Sequence, residues 1–180
     1  AASVALGFEH ILGGADHLLF LLGLLVLVRR PRRVFLTATA FTLSHSVTLA
    51  ATALHWVSIS SQAAEAAIAF SLVLLAADLG RSEKPMHATG MALVFGLVHG
   101  FGFAGALAEI GLPDGAVPLA LGSFNVGVEL GQLAFLCAAS LLAALAAHFR
   151  LQRPLTHAAA LGIGGVGSFW LLERTAVWWL

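Results

Sequence analysis

The chain has 180 residues, of which 59% are hydrophobic and only 10% are charged, whereas charged residues make up about a quarter of an ordinary soluble domain. This composition excludes a soluble globular protein and indicates a membrane protein. The formal net charge of zero leaves no basic patch for phosphate groups, so nucleic acid is excluded as a partner. The single cysteine, Cys137, excludes a disulfide framework within the chain.

Apolar segments account for nearly the whole length. A bilayer-spanning helix needs about 20 apolar residues, so we predict an all-α bundle of six transmembrane helices in one transmembrane domain, residues 1–180. The predicted helices lie near residues 5–28, 34–57, 65–80, 86–110, 116–148 and 155–177. The fifth is 33 residues long, so it either tilts, overshoots the membrane or begins with a seventh, re-entrant segment at residues 118–122.

Basic residues set the predicted orientation. Eight of the nine lie in three breaks between these helices, near Pro31, Pro85 and Pro154. The positive-inside rule places these breaks in the cytoplasm and therefore both termini outside. An outside amino terminus that begins within a span also predicts a signal peptide or an outer segment before Ala1.

Ionisable side chains within the apolar helices form the candidate site. Such groups are costly at membrane depth and tend to mark pathways or binding sites. Counted at about 1.5 Å per residue from the basic breaks, they share a band in the outer half of the bilayer, with Glu129 farthest out at about 31 Å. Neutral imidazole and carboxylate are ligands for nickel, cobalt, zinc or divalent copper. The predicted metal ligands are His10, Asp16, His17, His45, His99 and Glu129.

The first predicted helix leaves two questions open. His10 and His17 share a helix face but lie about 10 Å apart along a continuous helix, so they are successive stations unless Gly13 and Gly14 break it. Asp16 is either a ligand or the acceptor that orients a liganding histidine of a neighbouring helix.

Other charged groups within the helices have structural interpretations. Arg174 is the one base outside the three breaks, and we expect it to pair with the adjacent Glu173. Glu65 begins the third predicted helix, where a carboxylate complements the helix dipole. Neither Arg174 nor Glu65 is assigned to the metal site.

Four ordered motifs resemble the HupE/UreJ family of bacterial membrane proteins. They are GFEHILGGADHLLFLL from Gly7, FTLSHSVTL around His45, FGLVHGFGFA around His99 and FNVGVELGQ around Glu129. The resemblance covers nearly the whole chain. It implies a nickel or cobalt permease of the bacterial plasma (inner) membrane, of the kind linked to hydrogenase and urease maturation.

The resemblance also implies roles for individual residues. By position, His10, Asp16 and His17 are the metal motif of the first helix, and His45 and His99 are its partners. In the hydrogenase-linked branch of the family a proline follows the first histidine. Ile11 takes that position here, so the chain is more similar to the second branch. The resemblance therefore supports metal handling more firmly than it supports nickel in particular.

Three functions follow from these observations. The preferred one is a permease for a divalent transition metal, with the ion as substrate and nickel or cobalt ahead of zinc or copper. The alternative is an intramembrane zinc-type hydrolase acting on a lipid or membrane peptide, with three ligands, an open position, and Glu129 or Asp16 as general base. The third is a sensor or assembly subunit whose polar residues only hold helices together. Besides the lipid bilayer and the ion, the sequence leaves a second copy or another subunit open as partner.

Overall fold

The computed structural model describes residues 2–28, 30–80, 88–109, 117–176 and 178, without the side chains of residues 31, 103–109 and 117. The described residues form seven α-helices and no strand, which confirms the all-α prediction. The second basic break, with Arg81 and Lys84, lies outside these residues. The helices are α1 Ala2–Gly13, α2 Ala15–Val28, α3 Pro31–Ala53, α4 Ser61–Leu79, α5 Ala88–Glu109, α6 Val117–His148 and α7 Gln152–Ala176.

Helix length and composition bear on the number of spans. Four helices, α3, α4, α6 and α7, are long and apolar enough to cross a membrane, and α1 with α2 adds a fifth if this bent pair is one span. The apolar stretch Ala88–Gly102 of α5 is shorter. Up to five spans are therefore supported within the described ranges, and the sixth span and the orientation of the termini stay predictions.

The predicted first helix is broken at Gly14. The axes of α1 and α2 meet at 70°, and Gly14 is the single non-helical residue between them. Its N–H donates to the carbonyl of His10 at 3.0 Å, and its carbonyl accepts from the N–H of Leu18 at 3.1 Å. One residue thus ends α1 and begins α2, because it satisfies a free backbone group of each helix.

Close helix contacts surround the short central helix α2, which touches all six other helices. The most extensive pairings are α3 with α5, α1 with α6, and α4 with α7. Glycine permits two of them. A Cβ at Gly100 would overlap the backbone carbonyl of His45, and a Cβ at Gly7 would overlap that of Phe124. Small residues of this kind let membrane helices approach at backbone distance.

Helix α6 is much longer than the bilayer requires. Its 32 residues span about 48 Å, against a hydrocarbon thickness of about 30 Å. Its carboxy-terminal half is largely exposed, with Leu141 and Leu142 accessible over 72% and 66% of their surfaces. Exposed leucines on a membrane helix face lipid. Because α6 is one continuous helix from Val117 to His148, its length favours overshoot or tilt over a separate re-entrant segment at its start.

Candidate functional site

Four histidines from four helices meet next to the break at Gly14. His10 is in the last turn of α1 and His17 in the first turn of α2, while His45 lies in α3 and His99 in α5. The ring of His17 is central, with its centroid 4.7 Å from that of His10, 6.1 Å from that of His45 and 5.1 Å from that of His99. We call these four residues the histidine cluster.

The broken helix determines the approach of His10 and His17. On a continuous helix they lie about 10 Å apart, whereas the 70° bend brings their ring centroids to 4.7 Å. The structure therefore contains the broken-helix alternative, in which both imidazoles face one place.

Asp16 orients His17. Its Oδ1 accepts the backbone N–H of His17 at 2.9 Å and lies 3.1 Å from Nδ1 of the same residue. A carboxylate fits here because the first turn of a helix leaves N–H groups free and carries the positive end of the dipole. The Nδ1–H of His17 then donates to the carboxylate, which leaves Nε2 as the atom with a lone pair. Asp16 thus acts on the next residue of its own helix and not on a histidine of a neighbouring helix.

The same tautomer is fixed at His99. Its Nδ1 lies 2.8 Å from the carbonyl oxygen of Phe95, to which only an N–H can donate, so its Nε2 also carries the lone pair. Backbone carbonyls and carboxylates are the usual partners of the outer nitrogen of metal-binding histidines. His17, His45 and His99 are 6%, 0% and 1% exposed.

Four ring nitrogens of His17, His45 and His99 have no hydrogen-bond partner among the described residues. These atoms are Nε2 of His17, Nε2 of His99 and both nitrogens of His45. Buried polar atoms are nearly always hydrogen-bonded, so three imidazoles with free nitrogens in one place indicate a site for a ligand that accepts lone pairs. Phe41 closes the apolar side, stacked on His45 at 6.0 Å and edge-on to His99 at 5.0 Å.

A cavity of about 130 Å³ adjoins the histidine cluster. Its lining includes four predicted site residues, His10, Asp16, His17 and His99, and two that were not predicted, Glu65 and Arg174. His45 is not part of the lining and lies behind His17, at 6.1 Å between ring centroids.

The pairing of Arg174 differs from the expectation. Its Nε lies 3.5 Å from Oε2 of Glu65, so the partner comes from α4 and not from the adjacent Glu173. Two signals in the sequence could have identified this pair. Arg174 is the base that stands apart from the basic breaks. Glu65 and His99 each lie about 23 Å from a basic break when counted at about 1.5 Å per residue, so the two are at nearly the same predicted depth.

Glu129 has a different environment from the other predicted ligands. Its Oε1 accepts from the hydroxyl of Thr39 at 2.6 Å, and one turn further Gln132 accepts from Thr42 at 3.1 Å. Glu129 is not part of the cavity lining. Thr39 precedes His45 by six residues, or about 9 Å along α3 toward its basic end. The depth of about 31 Å counted along α6 is therefore too large, because that count assumes that α6 neither overshoots nor tilts.

Two of the imidazole separations, His10–His17 and His17–His99, are close to those on a shared ion, and the two that involve His45 are about 1 Å longer. With metal–nitrogen distances of about 2.0–2.1 Å, two imidazoles on one tetrahedral ion have ring centroids about 5 Å apart, and the observed values run from 4.7 to 6.2 Å. Among the described residues, however, no three His, Cys, Asp or Glu side chains are arranged so that they could hold a metal ion as they stand. The donors are gathered without forming a closed site.

Comparison with known proteins identifies the family. No curated protein and no solved structure gave a significant match to the chain. A family model described as HupE / UreJ protein matches residues 1–174. Because this match covers nearly the whole chain, and the helices are long and apolar, this is a multi-pass membrane protein that belongs to the HupE/UreJ family.

Proposed function

We propose that this protein is a membrane permease for a divalent transition-metal ion, nickel or cobalt, and that the histidine cluster binds the ion during transport. The single observation that carries the proposal is the convergence of buried imidazole nitrogens from α2, α3 and α5 at one place within the bundle. Neutral imidazole suits nickel, cobalt, zinc and copper. The family suggests nickel or cobalt among these.

The broken helix supports transport. Discontinuous helices next to an ion are a recurring feature of secondary transporters, and the bend at Gly14 lies beside His10 and His17. The carboxylate of Asp16 adds negative charge next to the imidazoles, which offsets part of the charge of a divalent cation.

The cavity supplies a route from one membrane face. It reaches Glu65 near the start of α4 and Arg174 near the end of α7. The basic residues Arg30 and Arg153 lie at the starts of α3 and α7. The cavity is reached from the other side, at the end of α7 and at the start of α4, which follows the end of α3. By the positive-inside rule the cavity then opens to the outside of a bacterial plasma membrane, with both termini outside and six spans.

The inner half of the proposed route, toward the basic end of α3, has, among the described residues, fewer ionisable side chains than the outer half with the cavity and the histidine cluster. Thr39 and Thr42 with Glu129 and Gln132 continue the polar surface of α3 toward its basic end. We assign Glu129 to charge compensation or proton coupling along this part, after the ion leaves the histidine cluster. A rearrangement of the bundle completes the passage, as in transporters that alternate between two access states.

The test is equilibrium metal binding to protein purified in detergent. Nickel, cobalt and zinc are titrated calorimetrically into the wild type and into His17→Ala and His45→Ala. The matched control is His157→Ala, because His157 is exposed and its Nδ1 bonds only to the carbonyl of Arg153 in its own helix. We expect the two cluster variants to bind nickel or cobalt at least about tenfold more weakly, which is ~1.4 kcal/mol, and the control to match the wild type.

Uptake into liposomes separates the functions. Reversible binding together with nickel or cobalt uptake that His17→Ala abolishes supports the permease. Unchanged binding in both cluster variants would contradict the site. Stoichiometric zinc that survives purification, with no uptake of any metal, would favour the intramembrane hydrolase.

A further inference from the structure

An ion pair from two other helices lines the cavity beside the histidine cluster. Glu65 of α4 and Arg174 of α7 share the cavity with His10, His17 and His99. Glu65 is 48% exposed and Arg174 is 22% exposed, whereas His17 and His99 behind them are only 6% and 1% exposed. A solute that reaches the cluster through this cavity therefore passes the pair.

Arg174 is held in place by several contacts. Its Nε lies 3.5 Å from Oε2 of Glu65, and its Nη1 donates to the backbone carbonyl of Glu65 at 2.9 Å. The guanidinium lies 5.2 Å above the ring of Trp170, and Gln62 donates to the backbone carbonyl of Arg174 at 3.3 Å. This geometry fixes a permanent positive charge, because a guanidinium is not deprotonated in proteins.

A fixed cation in the lining of a cation site needs an explanation. Its charge repels a metal ion, and the repulsion is strong where water is partly excluded. Its partner Glu65 attracts the ion instead, because a half-exposed carboxylate is the first ligand that a cation entering the cavity meets. Arg174 thus occupies the position that such a cation would take on Glu65.

We propose that Glu65 and Arg174 form an outer gate, in which Glu65 receives an incoming divalent cation in exchange for Arg174 and the pair re-forms when the ion has moved to the histidine cluster. Exchange favours a divalent ion, since its attraction to a carboxylate is twice that of a single charge. A monovalent ion gains nothing over a guanidinium already held by hydrogen bonds. The inference rests on the proposed function, because it assumes that the histidine cluster binds the ion.

The gate predicts that neutralising Glu65 and neutralising Arg174 have opposite effects on the rate of nickel association. Because it acts on admission and re-forms afterwards, it changes association and dissociation rates more than affinity. Nickel association with purified protein is followed by stopped-flow fluorescence. We expect Arg174→Gln to raise the association rate about tenfold and Glu65→Gln to lower it about tenfold, the scale on which charges at a binding mouth act. The equilibrium affinity for nickel should stay within about threefold of the wild type in both variants.

Two controls separate the gate from general electrostatics and from damage to the fold. Arg153→Gln removes the same charge at the other, exposed end of α7 and should leave the rate unchanged. Arg174→Lys keeps the charge and should keep the slow association. Selectivity is a second readout, measured by replacing a bulky organic cation with potassium at constant ionic strength. Potassium should slow nickel association in Arg174→Gln, because it can then occupy Glu65. It should have no effect in the wild type.

The outcomes distinguish this inference from the proposed function. Rates that change in the same direction in both variants, or that match the wild type, would overturn the gate while nickel uptake by liposomes still supports the permease. Loss of equilibrium nickel binding in Glu65→Gln would also overturn it, because Glu65 would then be a ligand of the cluster. If the opposite rate effects are found but liposomes take up no metal, the gate stands as the access device of a binding site and the permease proposal fails.

Discussion

The imidazoles of His10 and His17, seven residues apart in sequence, lie 4.7 Å apart between ring centroids because the helix that carries them is broken at Gly14. The contact between His17 and Asp16 beside this break leaves no room for a side chain at position 14. A Cβ at Gly14 would lie 2.6 Å from Nδ1 of His17 and 3.1 Å from Oδ1 of Asp16. The same position thus bends the chain and leaves room for the contact that orients His17.

Gly14→Ala should therefore weaken metal binding without unfolding the protein. The added methyl group displaces His17 from Asp16, and loss of such an orienting contact typically costs about 10- to 100-fold in metal affinity. Gly13→Ala is the matched control, because a Cβ at Gly13 meets nothing within 4 Å. Titration calorimetry with nickel measures both. Equal affinities in the two variants would show that the cluster does not depend on the geometry of this bend.

The sequence predicts the helix boundaries well and the pairing of charges poorly. Proline and clustered bases end apolar segments locally, so the predicted end at residue 148 matches the end of α6 at His148, and the predicted start at residue 34 lies three residues from Pro31, where α3 begins. The Glu65–Arg174 pair joins residues 109 positions apart. Such a pair depends on which helices become neighbours. The position and depth of Glu65 and Arg174 mark both residues as unusual, but no local pattern specifies that α4 and α7 are neighbours.

The sequence predicts the break at Gly14 only as one of two alternatives, for a physical reason. Glycine is common in membrane helices and usually leaves them intact, as Gly23 in α2 and Gly100 in α5 do. What distinguishes Gly14 is its surroundings: the His10 carbonyl takes its N–H, and Asp16 takes the N–H of His17. Depth counting failed at Glu129 because it assumes that α6 ends at the membrane surface.

Asp16→Asn tests whether the carboxylate acts through His17. The amide keeps the shape but loses the charge that holds the Nδ1–H of His17, so nickel affinity should fall about 10- to 100-fold. Glu9→Gln removes a carboxylate from an exposed position of α1 and should have no such effect. Both variants are compared by calorimetry and by thermal melting. A fall in melting temperature with unchanged affinity would instead assign Asp16 to the stability of α2 alone.

Gly100→Ala should destabilise the bundle. The methyl group would overlap the His45 carbonyl and the Thr48 hydroxyl across the contact of α3 with α5, and overpacking of a tight contact typically costs about 1–3 kcal/mol. Gly122→Ala is the control, since a Cβ there has open space and alanine favours helix by up to about 1 kcal/mol. The melting temperature in detergent should therefore fall for Gly100→Ala and stay level or rise for Gly122→Ala. A lower melting temperature for Gly122→Ala than for Gly100→Ala would contradict the close backbone approach of α3 and α5.

Glu129→Gln separates ion binding from ion passage. The carboxylate bonds to Thr39 and lies outside the cavity lining, so its neutralisation should leave nickel affinity within about threefold of the wild type. The loss of a partly buried charge on the inner route should slow uptake about tenfold or more. Thr39→Val, which removes only the hydroxyl that donates to Glu129, is the companion variant and should slow uptake less. Affinity is measured in detergent and uptake in liposomes, with His45→Ala as the reference that loses both. A collapse of nickel affinity in Glu129→Gln would place this carboxylate among the ligands of the bound ion, as the sequence predicts, and would mean that α6 moves toward the histidine cluster when the ion binds.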